Sequence, residues 1–380
     1  MIKKLLLLIN LILISTLFIS CWDVNEINQT DFPGVLAIDK NEAYNENKQE
    51  NKEFPYLISM EFPVLEQEIG VDEEDNSRAK TIKTTAFSLR AALNNFQART
   101  ARWISIGMLR TVIFSHEIAE AGLFEHIEHL KRNPFAKGTI ALAITEEGGR
   151  GEEVIEIDAK TTPDIGDYLD HTLKLTPREV IVPTTTLIEF FISMTSKGIE
   201  AFIPIIKYGE EDIKLDGAGI FIDDKLEKTI TAEKARMLLF FRERFPTGRL
   251  SLKVDDYVIS YHITEASRKI IPTYNNDKLT IKLKLELDVD IIEHTIEQRL
   301  IENEALVHKA ERALESALTT QTENLLKALE ECEADALGAG RVVKAKHPER
   351  FDEKRWNQDF AQADKKVDIN VNVRHFGTFN

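Results

Sequence analysis

Regular alternation of apolar and polar residues predicts strands in the last third of the chain. Apolar side chains occupy every second position from Leu279 to Val289, and the positions between them are polar. The same period of two returns from Val367 to Val373. This pattern is typical of an antiparallel sheet with one buried and one solvated face. We therefore expect both segments, together with a strand near 252–262, to form one sheet.

A helical period separates these two strands. Apolar and small residues recur there at three- and four-residue intervals: Leu306, Ala310, Ala313, Leu314, Ala317, Leu325, Ala328, Leu329 and Cys332. The pattern predicts a long helix over 297–337. A helix of about 40 residues would reach roughly 60 Å, which exceeds a compact domain, so we expect a break near Thr319-Thr320. The simplest packing lays the helix across the apolar face of the sheet and makes an α+β domain.

Shorter patterns fill the first two thirds. Apolar runs predict strands at 35–38, 56–62, 108–114, 139–144 and 202–206. Helical spacing predicts helices at 84–98, 116–121, 123–131 and 186–194. An acidic loop is expected at 66–80, and a hairpin is expected to turn at Asp223-Asp224. Thr231 then caps a further helix that runs to about Phe241.

The N-terminus has the three parts of a secretory signal. Two lysines precede an apolar run from Leu5 to Ile14, and the small residue Ser20 precedes Cys21. The run is shorter than the roughly 20 residues that span a bilayer. Ser20-Cys21 resembles a bacterial lipobox, so we predict cleavage between these residues and a diacylglyceryl and N-acyl lipid on Cys21. Two acyl chains suffice for a stable anchor. The alternative is a free or disulfide-bonded cysteine that ends an ordinary signal peptide.

The predictions for two further residues depend on this lipid anchor. Trp22 adjoins the lipidated residue, so it is a candidate contact with the membrane interface; the alternative is that it only belongs to the processing signal. The chain has 2 cysteines, so Cys332 lacks an intramolecular partner if Cys21 carries lipid. We expect Cys332 to be a small buried hydrophobe.

The acidic composition of the chain argues against some classes of binding partner. The 380 residues include 64 acids and 48 lysines and arginines, for a net charge of −16. So acidic a chain is a poor candidate for binding nucleic acid or anionic lipid by electrostatics. A membrane link must then come from the acyl chains or from a protein partner. The length is sufficient for two or three domains, each with its own core.

The motifs of catalysis and metal binding are incomplete. His116-Glu117 lacks the second histidine of a zinc-protease motif, and no nucleophile elbow of the Gly-x-Ser-x-Gly type occurs. His126 and His129 are three residues apart, but no ligand pattern adjoins them, so solvated surface histidines are expected. Gly148–Gly151 lacks the Lys-Ser/Thr of a phosphate loop and predicts a turn. We therefore predict no enzyme, no catalytic residue, no metal and no cofactor other than the covalent lipid.

An ordered set of motifs near the C-terminus resembles a known family. In order, these are Ala334-Asp335-Ala336-Leu337-Gly338-Ala339-Gly340, Arg341, His347-Pro348, Trp356, Phe360, the alternating valine strand, Arg374 and Gly377. Earlier segments agree: Cys21-Trp22-Asp23, Ala37-Ile38-Asp39-Lys40, Gly107-Met108-Leu109-Arg110, Gly122-Leu123, Leu130-Lys131-Arg132-Asn133-Pro134 and Gly217-Ala218-Gly219-Ile220-Phe221. Together they resemble the Ger(x)C family, the lipoprotein C-subunits of spore germinant receptors. The resemblance spans essentially the whole chain.

The resemblance implies a function and a location. It implies a lipid-anchored, non-enzymatic subunit of a nutrient germinant receptor that helps trigger spore germination. Such subunits lie on the outer surface of the spore inner membrane beside integral-membrane A- and B-type subunits. Two alternatives remain open. A solute-binding lipoprotein of a transporter predicts two α/β lobes with a hinge, and a lipid-anchored cell-wall hydrolase requires a catalytic constellation.

The resemblance also implies a three-domain α+β fold of mixed sheets and helices. Its C-terminal domain is expected to be an antiparallel sheet packed on one long helix. The predicted divisions are a signal peptide (1–20), a lipidated tether (21–31), an N-terminal α/β domain (32–145), a middle domain (146–212) and a C-terminal α+β domain (213–380).

Three residues of the C-terminal motifs carry specific expectations. Asp335 is expected to make a hydrogen bond at a helix end, and the alternative is that it binds a partner. Gly338 is expected to end the long helix in a left-handed conformation. Trp356 is expected to close the core of the last domain, and the alternative is a contact with a partner.

Overall fold

The computed structural model describes residues 3–4, 29–44, 54–63, 79–157, 165–175, 182–209, 212–242, 247–295 and 303–376. Ser20, Cys21 and Trp22 lie outside these ranges, so the predictions made for them stay predictions. Among the described helices, none has the length and apolar character needed to cross a bilayer.

The first two thirds of the chain form a large sheet with helices on both faces. The elements, in chain order, are β1 (Thr30–Asp31), β2 (Val35–Lys40), β3 (Tyr56–Pro63), β4 (Ala79–Ala86), α1 (Leu89–Gln97), β5 (Trp103–Ile104), β6 (Thr111–Phe114), α2 (His116–Ala121), α3 (Phe124–Arg132), β7 (Ala141–Thr145), α4 (Gly151–Ile155), α5 (Ile165–Leu175), β8 (Thr185–Thr186), α6 (Leu187–Thr195), β9 (Phe202–Tyr208), β10 (Ile213–Ile222), β11 (Lys225–Ile230) and α7 (Ala232–Arg242). A 3₁₀ turn at Ile106–Met108 follows β5.

The nine-stranded sheet runs in the order β11-β10-β9-β7-β6-β2-β3-β4, and β8 pairs with β7. The four central strands, β9, β7, β6 and β2, are parallel. Both faces of these strands are buried: Val35 and Ala37 of β2 enter one core, and Leu36 and Ile38 enter the other. Parallel strands covered on both faces read as continuous apolar runs, which is why these segments were recognisable as strands. The predicted boundary at 212/213 falls between β9 and β10, which pair within this sheet, and the domain division stays a prediction.

The last third forms a second sheet and its covering helices. The elements are β12 (Gly248–Val254), β13 (Tyr257–Asn275), β14 (Lys278–His294), α8 (Glu304–Glu331), α9 (Ala339–Lys346), α10 (Trp356–Gln362) and β15 (Asp364–Phe376). The strand order is β12-β13-β14-β15, and α8 lies across the sheet and contacts β15 and β12. The predicted α+β class, with a C-terminal sheet packed on a helix, is confirmed.

One strand pair in this sheet departs from the antiparallel expectation. β12, β13 and β14 are antiparallel, but β15 joins β14 in parallel. The reason is the connection: a crossover through α8, α9 and α10 returns the chain to the end of the sheet where β14 began. Glu311 and Glu315 of α8 accept hydrogen bonds from the edge-strand amides of Val373 and Val371, both at 3.0 Å. These contacts cover an edge that would otherwise be open for pairing.

The long helix is shorter than predicted and has no break. Asn303 caps its start, since the side chain accepts from the Leu306 amide at 3.2 Å. It spans 28 residues, roughly 42 Å at 1.5 Å per residue, so no interruption is needed to fit the domain. Thr320 lies inside the continuous helix, and its hydroxyl donates to the Ser316 carbonyl at 3.0 Å. Residues 297–302 of the predicted helix lie outside the described residues.

The segment from 79 to 86 is also different from its prediction. It is strand β4, paired with β3, where a loop to 80 and a helix from 84 were expected. Its polar sequence carries little signal, and pairing with the neighbouring strand decides its conformation. Ser88 then caps α1 by accepting from the Ala91 amide at 3.2 Å, and the helix buries Leu89, Ala92 and Phe96.

Candidate functional site

A buried carboxylate organises the segment between α8 and α9. Asp335 is 0% exposed, and one of its oxygens accepts from the amides of Gly338 and Ala339 at 2.9 and 3.0 Å. The other accepts from the Gly340 amide at 2.7 Å and from the Trp356 indole at 2.9 Å. Burial raises the pKa of Asp335, and the four donors act in the opposite direction. The predicted helix-end hydrogen bond is confirmed, and it serves the start of α9.

The left-handed glycine has a different role from the one predicted. Gly338 has φ +77° as expected, but it precedes α9 and does not end the long helix. The long helix ends at Glu331 with Cys332 as its C-cap, and Glu333 supplies the left-handed residue there with φ +49°. The Ala334 amide then donates to the Leu329 carbonyl at 2.9 Å and closes the last turn.

The backbones of the two halves meet at a pair of glycines. A Cβ on Gly340 would lie 2.5 Å from the Gly198 Cα and 2.5 Å from the Trp356 ring, so only glycine fits this approach. The Arg341 amide donates to the Gly198 carbonyl at 3.0 Å. The loop between α6 and β9 is therefore fastened to the start of α9.

Two charged side chains extend this contact. Glu200, 8% exposed, accepts from the Asn357 amide group at 2.9 Å and from the Asp223 backbone amide at 3.3 Å. Arg242, the last residue of α7, donates to the Ala336 carbonyl at 2.7 Å and to the Glu200 carbonyl at 3.3 Å. Burial raises the pKa of Glu200 to about 7 and lowers that of Arg242 to about 10.

We call this set of residues the junction: Gly198, Glu200, Arg242, Asp335, Gly340 and Trp356. Its polar atoms bind one another and the backbone, and the arrangement joins the nine-stranded half to the four-stranded half. Sequence reasoning found Asp335 and Trp356 and missed Gly198, Glu200 and Arg242, because nothing local links those positions to partners 94 to 157 positions away.

Glu200 is expected to make the protein more stable at mildly acidic pH than above neutrality. Its folded pKa, about 7, lies above its ordinary value of 4.5, so the folded state holds the proton more tightly. This contribution, at most about 3 kcal/mol, is complete below the ordinary pKa and is lost as the pH rises through the folded pKa. Urea unfolding of the wild type and Glu200→Gln across roughly pH 5 to 8 measures it.

The comparison isolates Glu200 because the other shifted groups are common to both proteins. Burial lowers the pKa of His126 to about 4 and raises that of Asp39 to about 6. Both contribute to the wild-type and the variant curve alike. The wild type should lose more stability than the variant over this range, and curves of equal slope would contradict the assignment.

A second polar cluster lies at the carboxyl ends of the central parallel strands. Asp39 accepts from the amides of Gly151 and Glu152 at 2.6 and 2.9 Å and so caps α4. Arg150 contacts Glu152 at 2.6 Å, and its backbone amide donates to the Tyr208 hydroxyl at 2.8 Å. A turn is present here, since the Gly149 amide donates to the Glu146 carbonyl at 2.9 Å, but Gly151 of the predicted turn is already the first residue of α4.

The position of this cluster would suit a ligand, but Asp39, Arg150 and Tyr208 are already engaged within the protein. Open sheets with parallel strands bind ligands in the crevice beyond the carboxyl ends of the strands. Here the turn itself occupies the crevice, because Thr145 donates to the Gly149 carbonyl at 2.8 Å and accepts from the His116 amide at 3.0 Å. The remaining cavity measures about 60 Å³. The cluster is therefore a structural closure of the sheet edge.

The prediction of solvated histidines is wrong for His126, and His129 is half-buried. His126 is 4% exposed and lies between the rings of Tyr56 and Phe114, with centroids 4.8 and 6.0 Å away. His116 is 8% exposed. Their helices turn these faces toward the sheet, which the spacing alone did not show. Within the described ranges, no cluster of three or more histidine, cysteine or acidic residues is arranged to hold a metal ion.

Trp356 and Cys332 both lie in the buried positions that the sequence predicted. Trp356 is 2% exposed and packs against Phe351 and Phe360, so the core interpretation is confirmed over a surface contact with a partner. Cys332 is buried, and its thiol donates to the Ala328 carbonyl at 3.2 Å. Burial raises the pKa of this thiol, which disfavours the reactive thiolate.

The fold and the junction define a two-part α+β protein, and two family models together match most of its length. Residues 23–208 match the family model described as "Spore germination protein N-terminal domain". Residues 216–377 match the model described as "Spore germination B3/ GerAC like, C-terminal". The chain belongs to the Ger(x)C family of spore germination proteins, as its motifs predicted.

Individual relatives agree with this assignment at low identity. The chain is 21% identical to the spore germination protein GerQC of Bacillus cereus, over 76% of this chain and 80% of the relative. It is 19% identical to spore germination protein B3 of Bacillus subtilis (strain 168), over 94% of each chain. The crystal structure of the GerBC protein superposes with a TM-score of 0.58 at 17% identity, covering 89% of this chain and 96% of that one. The last comparison supports the fold.

Proposed function

We propose that the chain is the lipid-anchored, non-enzymatic C-subunit of a nutrient germinant receptor complex that helps trigger spore germination. The observation that carries the proposal is the match of two consecutive spore-germination family models along residues 23–377. In this proposal the acyl chains on Cys21 hold the protein on the outer surface of the spore inner membrane. There it assembles with integral-membrane A- and B-type subunits.

The chain's physical properties support a tethered subunit. After residues 3–4 the described ranges resume at Gln29, and Thr30 starts β1 nine residues after Cys21. Nine residues can span at most about 30 Å when fully extended, so an anchor on Cys21 keeps the folded part near the bilayer. The junction provides a route by which an event at one half can alter the other half.

Deletion of the gene tests the proposal. Spores lacking it, followed by dipicolinic acid release across a panel of amino acids and sugars, should fail to respond to one nutrient class. The intact gene should restore that response. Normal germination with every nutrient, in a strain without a second receptor of this kind, would overturn the proposal and favour the solute-binding alternative.

Cys21→Ala is expected to leave the protein poorly retained by membranes. Without the thiol there is no site for the diacylglyceryl group, and no described helix replaces the anchor. Membrane fractions washed with high salt measure the loss. Cys332→Ala removes the other, buried cysteine and should remain membrane-bound. Firm retention of the Cys21→Ala protein after the wash would contradict the anchor.

A further inference from the structure

An apolar groove lies beside the point where the described fold begins. It measures about 560 Å³, and its walls include Phe32, Ile104, Pro134 and Phe135 together with Trp103. The first strand forms part of it, because β1 pairs in parallel with β5 and Thr30 lies opposite Trp103. The groove is therefore adjacent in space to the first folded residues after the predicted anchor.

Large apolar side chains project from this groove into solvent. Trp103 is 61% exposed, and Phe135 is 64% exposed. Met108, 55% exposed, follows Gly107, where an added Cβ would lie 3.9 Å from the Phe135 carbonyl oxygen. Single exposed apolar residues are common on protein surfaces, but a contiguous group beside a groove marks an interaction surface.

The charge around the groove is unusual for this chain. The protein carries 64 acids and 48 lysines and arginines, yet the groove lining contains one arginine, Arg90, and no carboxylate. The nearby Asp31 is paired with Arg102 at 3.4 Å. A tryptophan, neighbouring apolar side chains and an arginine suit the lipid headgroup region, where aromatic rings settle and arginine reaches phosphate.

We propose that this groove contacts the headgroup region of the bilayer that holds the lipid on Cys21. The inference rests on the proposed anchor and adds to it an orientation of the folded protein. The anchor restricts the groove to within about 30 Å of the bilayer, since nine residues separate Cys21 from Thr30. Held at that distance, Trp103 and Phe135 can enter the interface without an independent affinity for membranes. The contact would place the amino ends of the central parallel strands toward the bilayer.

Quenching of tryptophan fluorescence tests the contact. The chain has 3 tryptophans, and Trp22→Phe leaves Trp103 together with the buried Trp356. The lipidated full-length protein is reconstituted into phosphatidylcholine vesicles with ordinary or brominated acyl chains. We expect brominated lipid to reduce the emission of Trp103, and we expect that loss to disappear in Trp22→Phe/Trp103→Phe.

Two phenylalanines provide a matched control. Phe87 and Phe135 are each 64% exposed, but Phe87 packs near Phe54, with centroids 6.0 Å apart, beyond the other end of β2. Phe135→Ser should weaken the quenching of Trp103, whereas Phe87→Ser should leave it unchanged. Flotation of each preparation separates the two hypotheses. Protein that floats with its vesicles while Trp103 is unquenched overturns the groove contact alone, and protein that fails to float overturns the anchor and the contact with it.

Discussion

Asp335→Asn is expected to lower the free energy of unfolding by about 4 kcal/mol, because an amide can replace only one of the two acceptor oxygens. Each Asp335 oxygen accepts two hydrogen bonds in a site that is 0% exposed. The new NH₂ group would face either the Gly338 and Ala339 amides or the Gly340 amide and Trp356 indole. Two buried donors would then lack an acceptor.

Urea unfolding followed by tryptophan fluorescence measures this effect, because the buried Trp356 reports directly on the junction. Asp256→Asn is the matched control. Asp256 is exposed, and its substitution should change the stability by no more than about 0.5 kcal/mol. Equal unfolding midpoints for the two variants would show that the four hydrogen bonds of Asp335 contribute little.

Gly198→Ala is expected to destabilise the protein by about 3 kcal/mol, since two costs combine at this position. The residue has φ +88°, which strains any L side chain, and its Cβ would lie 2.8 Å from the Gly340 carbonyl carbon. The backbone of α9 would have to move away from the loop before β9. The Arg341 hydrogen bond to the Gly198 carbonyl would lengthen with it.

Gly148→Ala is the control variant that separates the cost of backbone strain from the cost of steric overlap. Gly148 also has a positive φ, +76°, but a Cβ there would meet no atom within 4 Å. It should therefore cost only the backbone strain, about 1 kcal/mol. Thermal or urea unfolding of both variants gives the difference. A similar loss in the two proteins would mean that the approach of Gly198 to Gly340 is not a tight contact.

Local sequence patterns identified the strands and helices whose buried and exposed faces stay the same along the whole element. The alternation from Leu279 to Val289 became β14, since each apolar residue there faces the covered side of the sheet. The helical stripe became α8 for the same reason. The strand at 79–86 could not be predicted in this way, because its threonines and lysines are also compatible with a loop. Only its pairing with β3 makes this segment a strand.

The sequence by itself determined the α+β class, the family, the helix-end hydrogen bond of Asp335 and the core position of Trp356, and it predicts the lipid anchor on Cys21. Each of these depends on residues close together in the chain, or on motifs in a fixed order. Tertiary structure alone decided that β15 pairs in parallel, that His126 is buried, and that Gly198 and Glu200 meet the turn before α9. These contacts join residues separated by many positions, and no local period or propensity encodes which distant backbone will supply the partner.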